Sequence, residues 1–180
     1  MSAPVAVLLI GLPGVGKSHV ARLLAPRLGA VRIASDDVRR MLVTDPTYTE
    51  EESALVFRVL DRILDGLLAE RRRVVVDATH LQARHRAASL ATARRHGVPV
   101  VHVRVVADEE RLRENFALRW GSRDARDRSE SDERIHAQMA ALRPFEAPEG
   151  GHLELRSDTG LEAELERIAA AVEDACVRAS

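Results

Sequence analysis

Cys176 is the only cysteine in the chain, so no disulfide can form within it, and a reducing, cytoplasmic setting is expected. Aromatic residues are scarce: one tryptophan, one tyrosine and three phenylalanines among 180 residues leave no evident platform on which the bases of a nucleic acid could stack. Neither sign of charge dominates. Lysine and arginine number 27 and aspartate and glutamate 28, a formal net charge of −1, so no global basic field draws the chain to nucleic acid or membrane. That balance does not exclude a local basic pocket for one nucleic-acid end. No apolar run approaches the ~20 residues that span a bilayer. The first residues lack the basic stretch of a secretory signal, so neither export nor a membrane partner is expected. The seven histidines are scattered, and none falls in an H-E-x-x-H or other zinc spacing.

What the chain does have begins at residue 5. The apolar run Val5-Ala6-Val7-Leu8-Leu9-Ile10 leads straight into GLPGVGKSHVA, Gly11 to Ala21. Gly11, Gly16, Lys17 and Ser18 fit G-x-x-x-x-G-K-[ST]. A loop that wraps phosphates must turn its backbone N–H groups inward, and glycine allows the positive φ angles this requires. The residues expected to cradle a nucleotide are Gly11, Pro13, Gly14, Val15, Gly16, Lys17, Ser18 and His19. Lys17 can reach the β- and γ-phosphates of ATP, and the Ser18 hydroxyl can hold Mg²⁺. A helix starting near Lys17 adds its positive end, with Val20, Leu23, Leu24 and Leu28 on one face.

Strands and helices alternate along the rest of the chain. Strands are expected at about Val5–Ile10, Ala30–Ser35, in RVVVDATH, in VPVVHVRVV and in HLELR. The long amphipathic helix TEEESALVFRVLDRILDGLLAERRR opens on a capping box of Thr49 and Glu52. Another helix, LQARHRAASLATARRHG, closes at Gly97, and DEERLRENFALRW is a third. A further helix is expected from about Asp132 to Leu142, and a terminal helix capped by Thr159 with Glu162. Nearly uninterrupted apolar strands between helices imply an α/β fold, a mostly parallel sheet covered on both faces, built as one domain over residues 1–180. Ligands of such sheets sit beyond the carboxyl ends of the strands.

That rule gathers the polar residues into one crevice. Asp36, after the second strand, can accept the proton of a hydroxyl acceptor, and Arg39 one turn on can hold an anionic part of it. SDDVRR also has the composition of a plain helix cap, with Ser35 or Asp36 as the capping residue. Asp77 ends the RVVV run, where a carboxylate can hold Mg²⁺ directly or through water. Thr79 and His80 follow it and are candidates to touch the acceptor. From Arg111 the chain is rich in arginine among acids, either a solvated charge run or a lid that closes over the phosphates. Arg119 and Arg123 are then its best candidates.

The ordered set GLPGVGKS, SDDVR, VVVDATH and the arginine-bearing segment resembles the P-loop kinases related to the kinase domain of polynucleotide 5′-hydroxyl kinases, a group that includes zeta-toxin-like members. The resemblance runs from about Val5 to Pro148. It implies a three-layer α/β/α P-loop NTPase fold with a small helical lid at about 119–131. It also implies ATP with Mg²⁺, Asp36 as general base, Arg39 on an acceptor phosphate, Thr79 in the acceptor pocket and Arg119 or Arg123 in the lid. The chain departs from the group at His19, at Asn115, where many relatives carry arginine, and at Ser35, where some polynucleotide kinases carry arginine. The function expected is transfer of the γ-phosphate of ATP to a hydroxyl of a small molecule or of a polynucleotide 5′ end, with the small molecule favoured. The alternative is a nucleotide-driven switch that acts with a protein partner.

Overall fold

The computed structural model describes residues 3–120 and 145–179. Five strands, β1 (Ala6–Ile10), β2 (Val31–Ala34), β3 (Val74–Asp77), β4 (Val100–Val106) and β5 (Leu153–Arg156), form one sheet in the order β2-β3-β1-β4-β5. Every neighbouring pair is parallel. Among the described residues the helices are α1 (Lys17–Arg27), α2 (Ser35–Leu42), α3 (Glu50–Ala69), α4 (Ala83–Arg95), α5 (Glu109–Trp120) and α6 (Leu161–Arg178). Parallel pairing demands a crossover between strands, and the helices supply it.

Alternation along β1 divides its side chains between two cores. Val7 and Leu9 pack with Val20 and Leu24 of α1 and Leu165 and Ile168 of α6. Ala6 and Leu8 pack on the opposite face with Val56, Leu60, Leu64 and Leu68 of α3. Those four α3 residues recur at the four-residue spacing that keeps them on one side of a helix. Three layers result, helices on each face of a sheet, the P-loop NTPase α/β/α fold.

The topology opens a crevice beside β1. The connection leaving β1 passes through α1 to β2, while that leaving β3 passes through α4 to β4 on the far side of β1. Since α1 packs in one core and Ala93 of α4 in the other, the two connections part on opposite faces. A ligand site is expected at such a divergence.

Three expectations change. SDDVRR forms α2 itself, and its N-cap is Ala34 in extended conformation with no side-chain cap, so neither Ser35 nor Asp36 is spent as a cap. The terminal helix begins at Leu161 behind Gly160, whose φ of 58° replaces a Thr159 cap, and Glu162 pairs with Arg27 instead. The Thr49–Glu52 box is half formed: Thr49 accepts the Glu52 N–H, but the Glu52 carboxylate turns elsewhere. The helix expected at about 132–142, and Arg123 with nearly all of the 119–131 lid, lie outside the described residues.

Leu64 is 1% exposed at the centre of the α3 core. Leu64→Ala is expected to lower unfolding stability by about 2–5 kcal/mol, the range for a cavity of that size, as measured by urea denaturation.

Candidate active site

The cradle is built as the motif requires. Gly14 and Gly16 adopt φ of 77° and 93°. Gly11 lies under the loop, where an added Cβ would meet the Val105 carbonyl oxygen at 2.7 Å. Val15 is buried and helps fill the α1–α6 core, so the loop is bolted down by an apolar side chain. Pro13, Gly14, Gly16, Lys17, Ser18 and His19 line a cavity of about 770 Å³, within the ~300–1,000 Å³ usual for cofactor sites. Lys17 is buried, and its Nζ donates to the Leu12 carbonyl at 2.7 Å. An ammonium has three protons to give, so this bond orients the group without exhausting it.

Two further elements brace the loop. Asn115 of α5 donates from Nδ2 to the Gly14 carbonyl at 2.8 Å. Ser157, just past β5, donates from Oγ to the Val15 carbonyl at 2.6 Å. Both line the cavity, as does Arg111, one turn before Asn115 on α5. The carboxyl-end rule applied to HLELR would have found Ser157. Asn115 drew notice only as a departure from arginine, and its shorter amide reaches the backbone of the cradle.

The end of β3 joins the same cavity. Asp77, Ala78 and Thr79 line it. The Gly11 N–H donates to the Thr79 carbonyl at 3.0 Å, which ties the cradle to the loop after β3. Asp77 is 4% exposed, and its Oδ2 accepts from Arg32 Nε at 3.2 Å and from Arg32 NH2 at 2.6 Å. The register explains the pairing. Ala34 stands opposite Asp77 and Arg32 opposite Val75, so Arg32 and Asp77 are diagonal neighbours on one face of the sheet. Arg32 also donates to Asp37 at 2.9 Å.

His80 is not in the cavity. It is fully buried, with φ of 46°, and its Nδ1 donates to the Leu9 carbonyl at 3.0 Å. Burial away from water pushes its pKa down to about 4, so the ring is neutral. The residue that lines the cavity is His85, whose ring stacks on Phe57 at 4.7 Å and 17°. Neither the positive φ nor the bond that holds the His80 ring against β1 can be read from a string of letters.

Asp36 sits half-buried in the first turn of α2 and lines the cavity with Ser35 and Arg39. Arg39 is 7% exposed and heavily engaged. It pairs with Glu52, donates to Ser53 Oγ at 3.3 Å and lies over the Tyr48 ring at 4.6 Å. Glu52 accepts in addition from the Thr47 N–H at 2.8 Å, the Thr47 hydroxyl at 2.9 Å and the Tyr48 N–H at 3.2 Å. This is where the missing half of the capping box went. Desolvation alone would raise the Glu52 carboxyl, but the Thr47 N–H and the Arg39 guanidinium outweigh it and hold the pKa down to about 2. Tyr48, at φ of 57°, and Thr47 line the cavity as well, and sequence reasoning passed over both.

A carboxyl held below its unfolded value stabilises the fold while ionised and loses that contribution as pH falls towards its folded pKa. The stability deficit of Glu52→Gln against the native chain is therefore expected to be full near pH 7 and to shrink steadily below about pH 4, as measured by urea unfolding across pH.

Among the described residues no group of three or more His, Cys, Asp or Glu is placed to hold a metal ion. No described helix is long and apolar enough to cross a membrane.

A family model described as an AAA domain matches residues 7–146. No curated protein matches the chain. Solved structures share its fold. Kti12 of Chaetomium thermophilum in complex with ADP-AlF3 superimposes with a TM-score of 0.71 at 19% identity, over 95% of this chain and 98% of that one. The APS kinase CysC of Mycobacterium tuberculosis in complex with AMPPNP and APS gives 0.69 at 20% identity, over 96% and 99%. A gluconokinase from Sinorhizobium meliloti 1021 gives 0.63 at 21% identity, over 95% and 97%. Matched by that model across well over half its length and built on the P-loop NTPase fold, the chain belongs to the AAA-domain family.

Proposed function

We propose that the chain is an ATP-dependent kinase that transfers the γ-phosphate of ATP to a hydroxyl acceptor, a small molecule or a polynucleotide 5′ end, in a cytoplasmic setting. One observation carries the reading: Lys17 and Ser18 of the cradle, Asp36 of α2 and Thr79 after β3 line one cavity. A donor phosphate and an acceptor oxygen can therefore meet in it.

The cradle N–H groups and Lys17 hold the phosphates and offset the charge that gathers on them during transfer. The acceptor oxygen forms a bond to the γ-phosphorus as the bond from that phosphorus to the β–γ bridging oxygen breaks, and ADP leaves. Asp36 orients the hydroxyl and takes its proton. Thr79 borders the acceptor. Arg39 sits at the acceptor end, and Arg119 and Arg123 are the arginines proposed to close over the phosphates.

The donor set suits Mg²⁺, which binds through one or two carboxylates together with substrate phosphates and does not need a cage of protein ligands. The Ser18 hydroxyl and Asp77, with Arg32 fixing the carboxylate from one side, are the residues that would hold it. The ion supplies positive charge against the phosphate oxygens. A Lys17→Ala variant is expected to lose the ATP-induced rise in melting temperature and turnover together.

Asp36→Asn keeps the shape of the side chain and removes the proton acceptor. It is expected to retain the ATP-induced shift in melting temperature while transfer falls by about 10²–10⁴. Transfer at the native rate would remove Asp36 as the base. Release of ADP and free phosphate with no labelled acceptor would favour the nucleotide-driven switch instead.

A further inference from the structure

The acceptor end of the cavity has a chemical character that the kinase reading leaves open. Two features define it. First, its arginine is already engaged. Arg39 is paired with Glu52, bonded to Ser53 and covered on one face by Tyr48, and its one nitrogen without a partner, Nε, is buried out of reach of the cavity. An anion arriving there must displace the Glu52 carboxylate or sit beside it. Displacement strands a buried charge, and juxtaposition sets like charges together. Second, the wall is aromatic and hydroxylic. The only tyrosine of the chain, Tyr48, and one of its three phenylalanines, Phe57, line this end. With them stand the hydroxyls of Thr47, Ser53 and Thr79. Each ring already has a neighbour on one face, Arg39 for Tyr48 and His85 for Phe57, and both still line the cavity, which gives this end apolar surface in a chain otherwise poor in rings. Hydroxyls beside them both donate and accept.

We propose that the acceptor is an uncharged polyhydroxylated molecule of the carbohydrate type, its C–H face against Tyr48 and Phe57 and its hydroxyls among Thr47, Ser53, Thr79 and Asp36. The proposal rests on the kinase reading. Such a molecule fits because each of its hydroxyls needs a partner of mixed donor and acceptor character, and one of them must reach Asp36. It leaves the Arg39–Glu52 pair intact. Glu52 acts here as a positioning residue: it holds Arg39 and cancels its charge, so that the site does not attract acids.

The test is an acceptor panel with γ-labelled ATP and the native chain. Neutral monosaccharides and polyols are each run beside their own acid and their own phosphate ester, with short 5′-hydroxyl oligonucleotides alongside. The neutral member of a pair is expected to exceed its acid by about tenfold or more in kcat/KM, the scale on which unpaired polar groups discriminate. Glu52→Gln removes the charge that cancels Arg39, so it is expected to shift that ratio towards the acid by about tenfold. The ratio is read within each variant, so a lower overall rate does not disturb it, and the native comparison stands without the variant. Label on the acids or the oligonucleotides in preference overturns this inference and leaves the kinase reading standing. An unchanged ratio in Glu52→Gln overturns it too. Label on no member, with ATP released only as ADP and free phosphate, overturns both.

Discussion

The pairing of β1 with β3 does not stop where the strands stop. Leu9 stands opposite Asp77 in the ladder, and past that point the Gly11 N–H still donates to the Thr79 carbonyl at 3.0 Å. The phosphate loop and the loop after β3 are thus held by backbone bonds at a fixed separation. Side-chain changes cannot readily alter that spacing. Everything proposed for the site depends on it, because in-line transfer requires donor and acceptor placed within a fraction of an ångström. His80 reinforces the same seam from behind by donating to Leu9.

Charges around the cavity are set in pairs before any ligand arrives. Arg32 holds Asp77 and Asp37, and Glu52 holds Arg39. These differ from the exposed pairs elsewhere, such as Arg111 with Glu114, which contribute about 0–1 kcal/mol each. Asp77 and Arg39 are nearly inaccessible, so loss of either partner would leave a charge in a poorly solvated place. On the far side of the loop after β3, buried Arg86 donates to the carbonyls of His80, Leu81 and Glu146, at 2.5, 3.0 and 2.6 Å. Glu146 in turn accepts from the Ala83 N–H at the start of α4. Glu146 is therefore fastened to the loop after β3 and the start of α4, while Asn115 fastens α5 to the glycine loop.

The sequence carried the scaffold because the scaffold rests on local patterns. VAVLLI before the glycines, β-branched strands and four-residue spacing in α3 each declare themselves within a short window. So do the polar residues that follow each strand, and Asp36, Asp77 and Thr79, singled out in that way, all line the cavity. What stayed hidden depends on distant partners or on backbone angles. Nothing in SDDVRR says that Arg39 is claimed by a glutamate 13 residues on, and Glu52 itself looked like half of a cap. Tyr48 and His80 both take a positive φ, which neither residue type announces, and only Tyr48 lines the cavity. His85 and His80 are equally polar on paper, and only the fold separates them. Ser35 and Asp36 have the composition of caps, yet α2 starts at Ser35 and so makes both of them helical residues.

Among the described residues, the strand that bears the cradle has both of its neighbours far along the chain. β1 ends at Ile10 and pairs with β3, which begins at Val74, and with β4, which ends at Val106. At ~5–20 residues per second, a ribosome needs roughly 5–20 s to make the chain between the first and the last of these strands. Until Asp77 is made VAVLLI is an uncharged, β-prone segment with both edges open, and until β4 follows it keeps one edge open, the kind of stretch that pairs with other chains. Synthesis therefore exposes the centre of the sheet for longer than its edges, and a chaperone that shields residues 5–10 would act on the strand that the nucleotide loop hangs from.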